Sequence, residues 1–346
     1  MPVPMIFCKL RRQGLLAPLV CVLPGCAGVQ SVMSPAGPAA AAIAKISWVM
    51  FIGGTLILLL VMALALYAVL RAPRQRARTS SPLNSSPRTS SHLLIVAGGV
   101  ALPVLTLTAL LVYGFVEMRQ LRGADPNAPI DIVVVGNQWW WDVHYPGAPG
   151  LAVTTANEIH IPTGVPVRIA VRTNDVIHSF WVPRLAGKID LIPGRTNHIV
   201  LRADEAGIFR GQCAEFCGAQ HARMALLVIA EPAVRHQAWL ASQRRPAAHP
   251  ADARALRGRR EFTARGCVDC HAVRGLGAAP LARGPDLTHI GSRLQLGAGT
   301  LANNRANLVA LIAHGQRLKP GNRMPAYAHL EPDALEAIAV YLEGLK

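Results

Sequence analysis

Two long apolar segments without a charged residue constrain the fold of this chain more than any other feature. They span residues 46–70 and 93–116. At about 1.5 Å of rise per residue, a helix over either segment would exceed the roughly 30 Å hydrocarbon core of a bilayer. Pro103 in the second segment is tolerable because neighbouring helices can satisfy the freed backbone groups. The sequence therefore predicts a transmembrane hairpin within residues 40–120.

Basic residues around these segments predict their orientation. No Asp or Glu precedes Glu117, whereas nine Lys or Arg residues do. These nine positive charges amount to more than half of the formal net charge of +16. Five of the nine lie in the connector between the segments: Arg71, Arg74, Arg76, Arg78 and Arg88. Cytoplasmic loops are enriched in Lys and Arg, so the connector is expected to be cytoplasmic and the chain after about residue 121 extracytoplasmic. The sequence has no run of basic residues interleaved with aromatic residues, so nucleic acid is not an expected partner.

The first 26 residues have the layout of a secretory signal. Three basic residues, Lys9, Arg11 and Arg12, precede an apolar run at residues 15–23. The run ends in Leu-Pro-Gly-Cys, which resembles a lipoprotein cleavage box with Cys26 as the lipid-bearing residue. An uncleaved N-terminus is the alternative.

The remainder of the chain changes character twice. Between residues 128 and 232, short apolar segments are separated by Gly and Pro turns, a pattern typical of an all-β sandwich or barrel. Residues 233–252 are polar and rich in Ala, as in a linker or a short helix. Residues 253–346 show apolar residues at helical spacing. The predicted fold class is a multi-domain membrane protein with a two-helix hairpin, an all-β domain and a small all-α domain.

A loop in the predicted β domain is dense in soft metal ligands. Cys213, Cys217, His221 and Met224 occur within twelve residues, and His178, which follows an upstream strand, can close the site from a neighbouring loop. Thiolates, imidazoles and a thioether favour copper over hard cations. A Cys213–Cys217 disulfide and a tetrahedral zinc site are alternatives outside the cytoplasm. Met224 could also be an ordinary core residue.

A second cysteine pair belongs to a haem attachment motif. Cys267, Cys270 and His271 form Cys-x-x-Cys-His, in which the thiols bind the haem vinyl groups and the imidazole binds the iron. A thioredoxin-like redox pair is the alternative, but it requires a βαβ setting. Met324, the only later methionine, is the predicted sixth ligand, because His/Met ligation is typical of cytochromes c. Three histidines are alternatives for that position, although a surface location is expected for each: His289, His314 and His329.

Together these motifs resemble a known family. The pattern Cys-x-Glu-x-Cys-x₃-His-x₂-Met, with an upstream Ile-His-Ser-Phe, is similar to subunit II of haem–copper cytochrome c oxidases across residues 40–232. The added Cys-x-x-Cys-His domain, with Gly-Pro-Asp-Leu at residues 284–287, resembles a class I cytochrome c and thus the caa3-type oxidases. The resemblance implies a cupredoxin-like copper domain at residues 128–232 and a cytochrome c domain at residues 253–346.

The resemblance also implies site residues in the copper domain. A binuclear CuA centre would be bound by six of them: His178, Cys213, Glu215, Cys217, His221 and Met224. Cys213 and Cys217 would bridge the two ions, and Glu215 would contribute its backbone carbonyl. The Glu215 carboxylate would bind a magnesium ion shared with subunit I. Trp139, in the run Gln-Trp-Trp-Trp-Asp, would be the residue through which electrons come in, although such a run alone also suits a packing edge.

The implied function is that of the electron-input subunit of a terminal respiratory oxidase. Electrons from cytochrome c or another donor would pass through covalent haem c and CuA to the oxygen-reducing haem–copper site of subunit I. This chain would then be part of a proton-translocating cytochrome-c oxidase in the bacterial inner membrane, with no catalytic residue of its own. Two alternatives remain open: the electron-input subunit of a CuA-containing nitric oxide reductase, and a membrane copper-binding or assembly protein. The haem motif counts against the second.

Overall fold

Three regions follow one another along the chain: a pair of apolar helices, a β-sandwich and a small helical domain. The computed structural model describes residues 28–76, 88–121, 131–250, 252–276 and 283–346. The signal-like segment and Cys26 lie outside the described residues. The order of the three regions is the predicted one.

The apolar helices are interrupted once. They consist of α1 (Pro38–Arg76), α2 (Arg88–Val96), a π-helical turn (Ala97–Ala101) and α3 (Leu102–Leu121). The wide turn lies just before Pro103, whose ring would clash with the carbonyl four residues earlier in a regular helix. Pro38–Arg71 and His92–Arg119 are long and apolar enough to cross a membrane. Their large apolar side chains are mostly exposed, as lipid-facing side chains would be.

The segment that leads into α1 packs against the β-sandwich. The Ala36 N–H donates to the Arg184 carbonyl at 2.7 Å, and the Ala36 carbonyl accepts from the Asp204 N–H at 2.9 Å. Ala40 is buried, and its N–H donates to the Leu185 carbonyl at 3.2 Å. These contacts place the N-terminal end of α1 on the same side of a membrane as the sandwich.

Ten strands form the sandwich in the described part of the chain. They are β1 (Ile132–Asn137), β2 (Trp140–Tyr145), β3 (Val153–Ala156), β4 (Glu158–Pro162), β5 (Val167–Thr173), β6 (His178–Trp181), β7 (Lys188–Leu191), β8 (Asn197–Leu201), β9 (Gly207–Cys213) and β10 (Ala225–Glu231). One sheet has the order β3-β2-β1-β5-β8 and the other β4-β10-β9-β6-β7. Alternate residues point between the sheets, so Trp141, Val143 and Tyr145 of β2 are buried. The Trp141 ring packs edge-on against Phe180 at 5.9 Å between centroids.

The connection to the last region contains a helix. This helix, α4 (Ala233–Gln243), occupies half of the segment expected to be a linker or a short helix. Its Trp239 stacks on His160 of β4 at 3.9 Å between ring centroids and packs edge-on against Tyr145. The aromatic contact fixes α4 to the outer end of the sandwich.

The last region is mainly helical. Its elements are α5 (Ala253–Ala264), α6 (Cys267–Cys270), β11 (Gln295–Leu296), β12 (Leu301–Ala302), α7 (Arg305–Leu318) and α8 (Pro332–Gly344). Helices α5 and α8 cross at Gly258, where a Cβ would overlap the Ala337 carbonyl. Beside the crossing, Phe262 packs edge-on against Tyr341. The small hairpin β11–β12 has no counterpart among the sequence predictions, and it contacts the sandwich.

Candidate copper and haem sites

Two neighbouring strands and one loop assemble the soft donors. Strands β6 and β9 are antiparallel, with Phe180 opposite Cys213, so His178 at the start of β6 lies close to Cys213 at the end of β9. The loop after β9 turns back through a short 3₁₀ turn, His221–Arg223, before β10. It thereby brings Cys217, His221 and Met224 to the same place.

The donor atoms form a compact cluster. Cys213 Sγ lies 3.8 Å from Cys217 Sγ and 3.8 Å from His178 Nδ1. Cys217 Sγ lies 3.7 Å from His221 Nδ1 and 3.9 Å from Met224 Sδ. Two ligands bound to one ion at about 2.1–2.3 Å in near-tetrahedral geometry are about 3.6 Å apart. The five side chains therefore fit metal ions bound between them with little rearrangement.

The cluster is buried and its thiols are free. The exposed fractions of His178, Cys213, Cys217 and Met224 are 0%, 2%, 3% and 0%. Neither cysteine forms a disulfide. His178, Cys213 and Cys217 also form the one cluster of potential metal ligands found among the described residues. Met224 is both a core residue and a sulfur donor facing Cys217, so the two interpretations of this residue are compatible.

Hydrogen bonds orient the imidazole and activate one thiol. His178 Nε2 is hydrogen-bonded to Asp175 Oδ1 at 2.8 Å, which leaves Nδ1 facing Cys213. Burial alone would raise the pKa of Asp175, but hydrogen bonds from His178 and from backbone N–H groups lower it overall. The pKa of Cys213 is lowered by a hydrogen bond from the Cys217 thiol, against the effect of burial, and by His178. A thiolate is the form that binds metal.

Trp139 connects this cluster to the helical domain. Its indole Nε1–H donates to the Cys217 carbonyl at 2.9 Å, and the Gln138 side chain donates to the same oxygen at 2.9 Å. On the other side, Lys319 Nζ donates to the Trp139 carbonyl at 2.9 Å. Half-buried Trp139 thus lies at the contact between the two domains, one hydrogen bond from a copper-ligand candidate.

Glu215 presents its two oxygen groups to different surroundings. Its backbone carbonyl lies 3.3 Å from Cys213 Sγ, inside the cluster. Its side chain is 45% exposed, and Oε2 lies 4.0 Å from Lys188 Nζ. The neighbouring Phe216 is 76% exposed. The carboxylate is therefore accessible to a partner, whereas the carbonyl is directed at the donors.

The haem-motif histidine is held by one ring nitrogen. His271 Nδ1 donates to the Pro285 carbonyl at 2.8 Å, so the lone pair is on Nε2. The ring packs so closely on Gly284 that a Cβ there would overlap it. Burial lowers the pKa of His271, which keeps the imidazole neutral. The residue therefore has the orientation and charge state of a metal ligand.

The other haem-site candidates border the same apolar core. Cys267 and Cys270 are free and half-buried on α6. Met324 packs on the helical core that Cys267 also contacts. Its N–H donates to Asn322 Oδ1 at 2.8 Å, and its carbonyl accepts from Gln316 Nε2 at 2.7 Å. The two thiols, the imidazole and the thioether fit a covalently bound haem within this core.

One expectation about the alternative ligands is wrong. His289 is only 4% exposed, and its Nε2 is hydrogen-bonded to the Arg245 carbonyl at 3.2 Å. Packing against the connection from the sandwich buries it, which helical spacing alone does not reveal. His314 and His329 are exposed, as expected.

Two buried charged residues at the domain contact escaped the sequence analysis. The Glu158 carboxylate accepts from the Leu294 N–H at 2.6 Å, and burial raises the pKa of Glu158. Lys319 is buried as well, and burial lowers its pKa to about 8, assisted by the charge of Arg223. No local pattern marks either residue, because each is buried only where the two domains meet.

Comparisons with known proteins agree with this division of the chain. Residues 149–231 match the family model described as cytochrome c oxidase subunit II, periplasmic domain. Residues 255–346 match the cytochrome c family model. Both extramembrane regions therefore have a family match, and each match contains one of the two sites.

Three proteins similar to this chain are all subunit II of a cytochrome oxidase. Cytochrome c oxidase subunit 2 of Alkalihalophilus pseudofirmus is 34% identical over 341 residues, which cover 95% of each chain. The Bacillus subtilis protein of the same name is 30% identical and covers 71% of this chain and 72% of its own length. The solved periplasmic domain of Bradyrhizobium japonicum subunit II is 31% identical over 34% of this chain and 95% of its own, with a TM-score of 0.32.

These relatives favour an oxidase over both alternatives, the nitric oxide reductase and the copper-assembly protein. The chain is a membrane protein whose extramembrane domains have the family's copper-binding and cytochrome character. It acts as an electron-input subunit and associates with the other subunits of a haem–copper oxidase. The chain belongs to the cytochrome c oxidase subunit II family, in the form that carries a C-terminal cytochrome c domain.

Proposed function

We propose that this subunit passes electrons from cytochrome c, or another donor, through a covalent haem c and a CuA centre to the oxygen-reducing site of subunit I. Both groups take up and release one electron at a time. The observation that supports the proposal most is the buried cluster of two free thiols, two imidazoles and a thioether, with neighbouring donors 3.7–3.9 Å apart. Such spacing suits two ions that share the thiolates.

The copper ligands would divide into bridging and terminal groups. Cys213 and Cys217 would bridge the ions, and His178 and His221 would each bind one through Nδ1. Met224 and the Glu215 carbonyl would complete the two coordination shells. Burial and the hydrogen bond to Asp175 hold His178 in place, so this ligand would move little when the copper centre takes up or releases an electron.

Cys267 and Cys270 would hold the haem through their thiols, and His271 and Met324 would bind its iron. Because the His271 Nδ1–H bonds to the Pro285 carbonyl, Nε2 is left for the iron. Trp139 would then be the residue through which electrons reach the copper centre, since its indole bonds directly to the Cys217 carbonyl.

The subunit would be a multi-pass protein of the bacterial inner membrane. The contacts of Ala36 with Arg184 and Asp204 support an arrangement with both ends of the hairpin on the periplasmic side. Its domains would be the hairpin at residues 40–120, the copper domain at 128–232, a linker at 233–252 and the cytochrome domain at 253–346. The exposed Glu215 carboxylate would bind a magnesium ion shared with subunit I.

Electron paramagnetic resonance (EPR) of the full-length, copper-loaded and oxidised protein tests this assignment. We expect one unpaired electron coupled equally to two copper nuclei, beside a low-spin haem signal. Met224→Leu should alter the copper signal, whereas Met118→Leu, an exposed residue of α3, should not. A mononuclear copper spectrum, or zinc in place of copper, would remove the CuA assignment.

A further inference from the structure

The copper and cytochrome domains are joined by a buried lysine. Lys319, just after α7, is 6% exposed. Its Nζ donates to the carbonyls of Trp139 and Arg223 in the copper domain and of Gly297 in its own domain, at 2.9, 3.0 and 2.9 Å. An ammonium group has three N–H donors, so all of them are used. Two of the three bonds cross between the domains.

A buried carboxylate from the copper domain bonds to the cytochrome domain in return. Glu158 of β4 accepts from the Leu294 backbone N–H, and the neighbouring Arg293 provides a buried positive charge. Next to it, the Ala225 N–H donates to the Ala298 carbonyl at 2.9 Å. Each domain thus binds main-chain groups of the other, which fixes orientation more strictly than contacts between mobile side chains.

The lysine also lies at the start of the loop that carries Met324. Gly321, between the two, lies beside the indole of Trp139: a Cβ added at Gly321 would be 3.5 Å from Trp139 Cη2. The Gln220 side chain of the copper loop donates to the Pro320 carbonyl at 3.0 Å. The segment that Lys319 anchors therefore lies beside Trp139, the proposed electron-input residue, and continues into Met324, the proposed sixth haem ligand.

We propose that Lys319 is a positioning residue for electron transfer within this subunit: by binding carbonyls of both domains, it holds the Met324 loop against Trp139. This rests on the proposed function of the haem and copper sites. Without the ammonium, three carbonyls lose their hydrogen-bond donor. The docked arrangement of the two domains is then less populated, and looser arrangements are more populated. A fused cytochrome domain then has to find its partner surface by diffusion on its tether.

The test compares Lys319→Met with Lys346→Met in the assembled oxidase. Both variants remove one lysine charge from the cytochrome domain, but Lys346 is exposed and lines a surface pocket with Tyr341 and Glu343 of its own domain. The haem is reduced by a light-activated reductant, and its re-oxidation by copper is followed by absorbance at several solvent viscosities. EPR and haem spectra of each variant check that both groups are bound.

We expect Lys319→Met to slow the transfer from haem to copper about tenfold or more and to make it viscosity-dependent, with both spectra unchanged. Lys346→Met and the unaltered protein should be fast and independent of viscosity. An unchanged, viscosity-independent rate in Lys319→Met would overturn the proposal, and so would loss of either spectrum, which would mark a purely structural role. Failure of transfer in the unaltered protein would instead refute the proposed function.

Discussion

The copper and haem sites differ in how much of each the polypeptide builds by itself. In the copper domain, the side-chain donors lie 3.7–3.9 Å from their neighbours within a closed sandwich. In the cytochrome domain, Cys267, Cys270, His271 and Met324 are only half-buried around their apolar core.

The difference follows from the two architectures. Paired strands fix the backbone on both sides of the copper cluster, so its ligands are preorganised before any ion binds. The cytochrome domain has α5 and α8 crossing at Gly258, and its haem-motif residues lie half-buried beside that core, on a short helix and on loops. We therefore expect a bound haem to stabilise its domain more than bound copper would stabilise the sandwich.

Removing the haem attachment should have the largest effect. In Cys267→Ser/Cys270→Ser, we expect the cytochrome domain to lose about 4 kcal/mol or more of stability, since it loses a tightly held group that binds only the folded state. The copper signal should persist. Proteolysis of residues 253–346 and denaturant unfolding measure the loss, with Cys213→Ser/Cys217→Ser as the reciprocal control. Equal protease resistance with and without haem would contradict the comparison.

Altering the residue behind a copper ligand should weaken copper binding without unfolding the sandwich. Asp175→Asn removes the charged partner of His178 Nε2, so we expect a 10–100-fold loss of affinity, measured by competition with a chelator. Asp204→Asn is the control, because this exposed carboxylate pairs with Arg202 away from the cluster. Equal affinities in the two variants would show that the cluster does not depend on its hydrogen-bonded support.

The coupling between the two regions can be tested at Glu158. Glu158→Gln keeps an acceptor for the Leu294 N–H but removes the buried charge, and we expect about 1.5 kcal/mol lower stability of the cytochrome domain. Glu205→Gln, at an exposed position, should change nothing measurable. Denaturant unfolding followed at the haem reports the difference. Identical unfolding curves would mean that the domains are energetically independent.

The smallest expected effect is a pH dependence of the copper domain. Burial lowers the pKa of His160 below 6.5, in spite of its bond to Glu231, and burial also lowers the pKa of His236. As the pH falls, the unfolded chain therefore binds protons at these histidines more readily than the folded chain does. The free energy of unfolding is highest above pH 6.5 and declines as the pH falls below that value. The decline is less than about 1.4 kcal/mol per pH unit for each histidine.

Unfolding at pH 7.5 and pH 5.5 measures this slope. His160→Gln should reduce it, and His198→Gln, an exposed histidine, should leave it unchanged. A slope that survives the loss of His160 would assign the effect to other groups.

The sequence predicts most of both candidate sites because their residues are close along the chain. Five of the six copper-ligand candidates fall within residues 213–224, and the Cys-x-x-Cys-His motif is contiguous. His178 is remote along the chain, and the structure shows that its strand pairs with the one that ends at Cys213.

Long-range burial explains what the sequence did not predict. Lys319 bonds to Trp139, which lies 180 residues earlier, and Glu158 bonds to Leu294, 136 residues later. Each is a common surface residue type that becomes buried only when the domains dock. The two-residue strands β11 and β12 are too short to show an alternating pattern, and His289 is buried by a connection that periodicity does not place.

The order in which the two sites become reduced tests the central claim most directly. The assembled oxidase, fully oxidised and without oxygen, is mixed rapidly with reduced cytochrome c, and haem and copper absorbance are recorded together. We expect the bound haem to be reduced in step with donor oxidation and copper to follow, with electrons conserved between the two. Copper reduced before the haem would contradict the account, because electrons would then reach Cys213 and Cys217 without passing through the cytochrome domain.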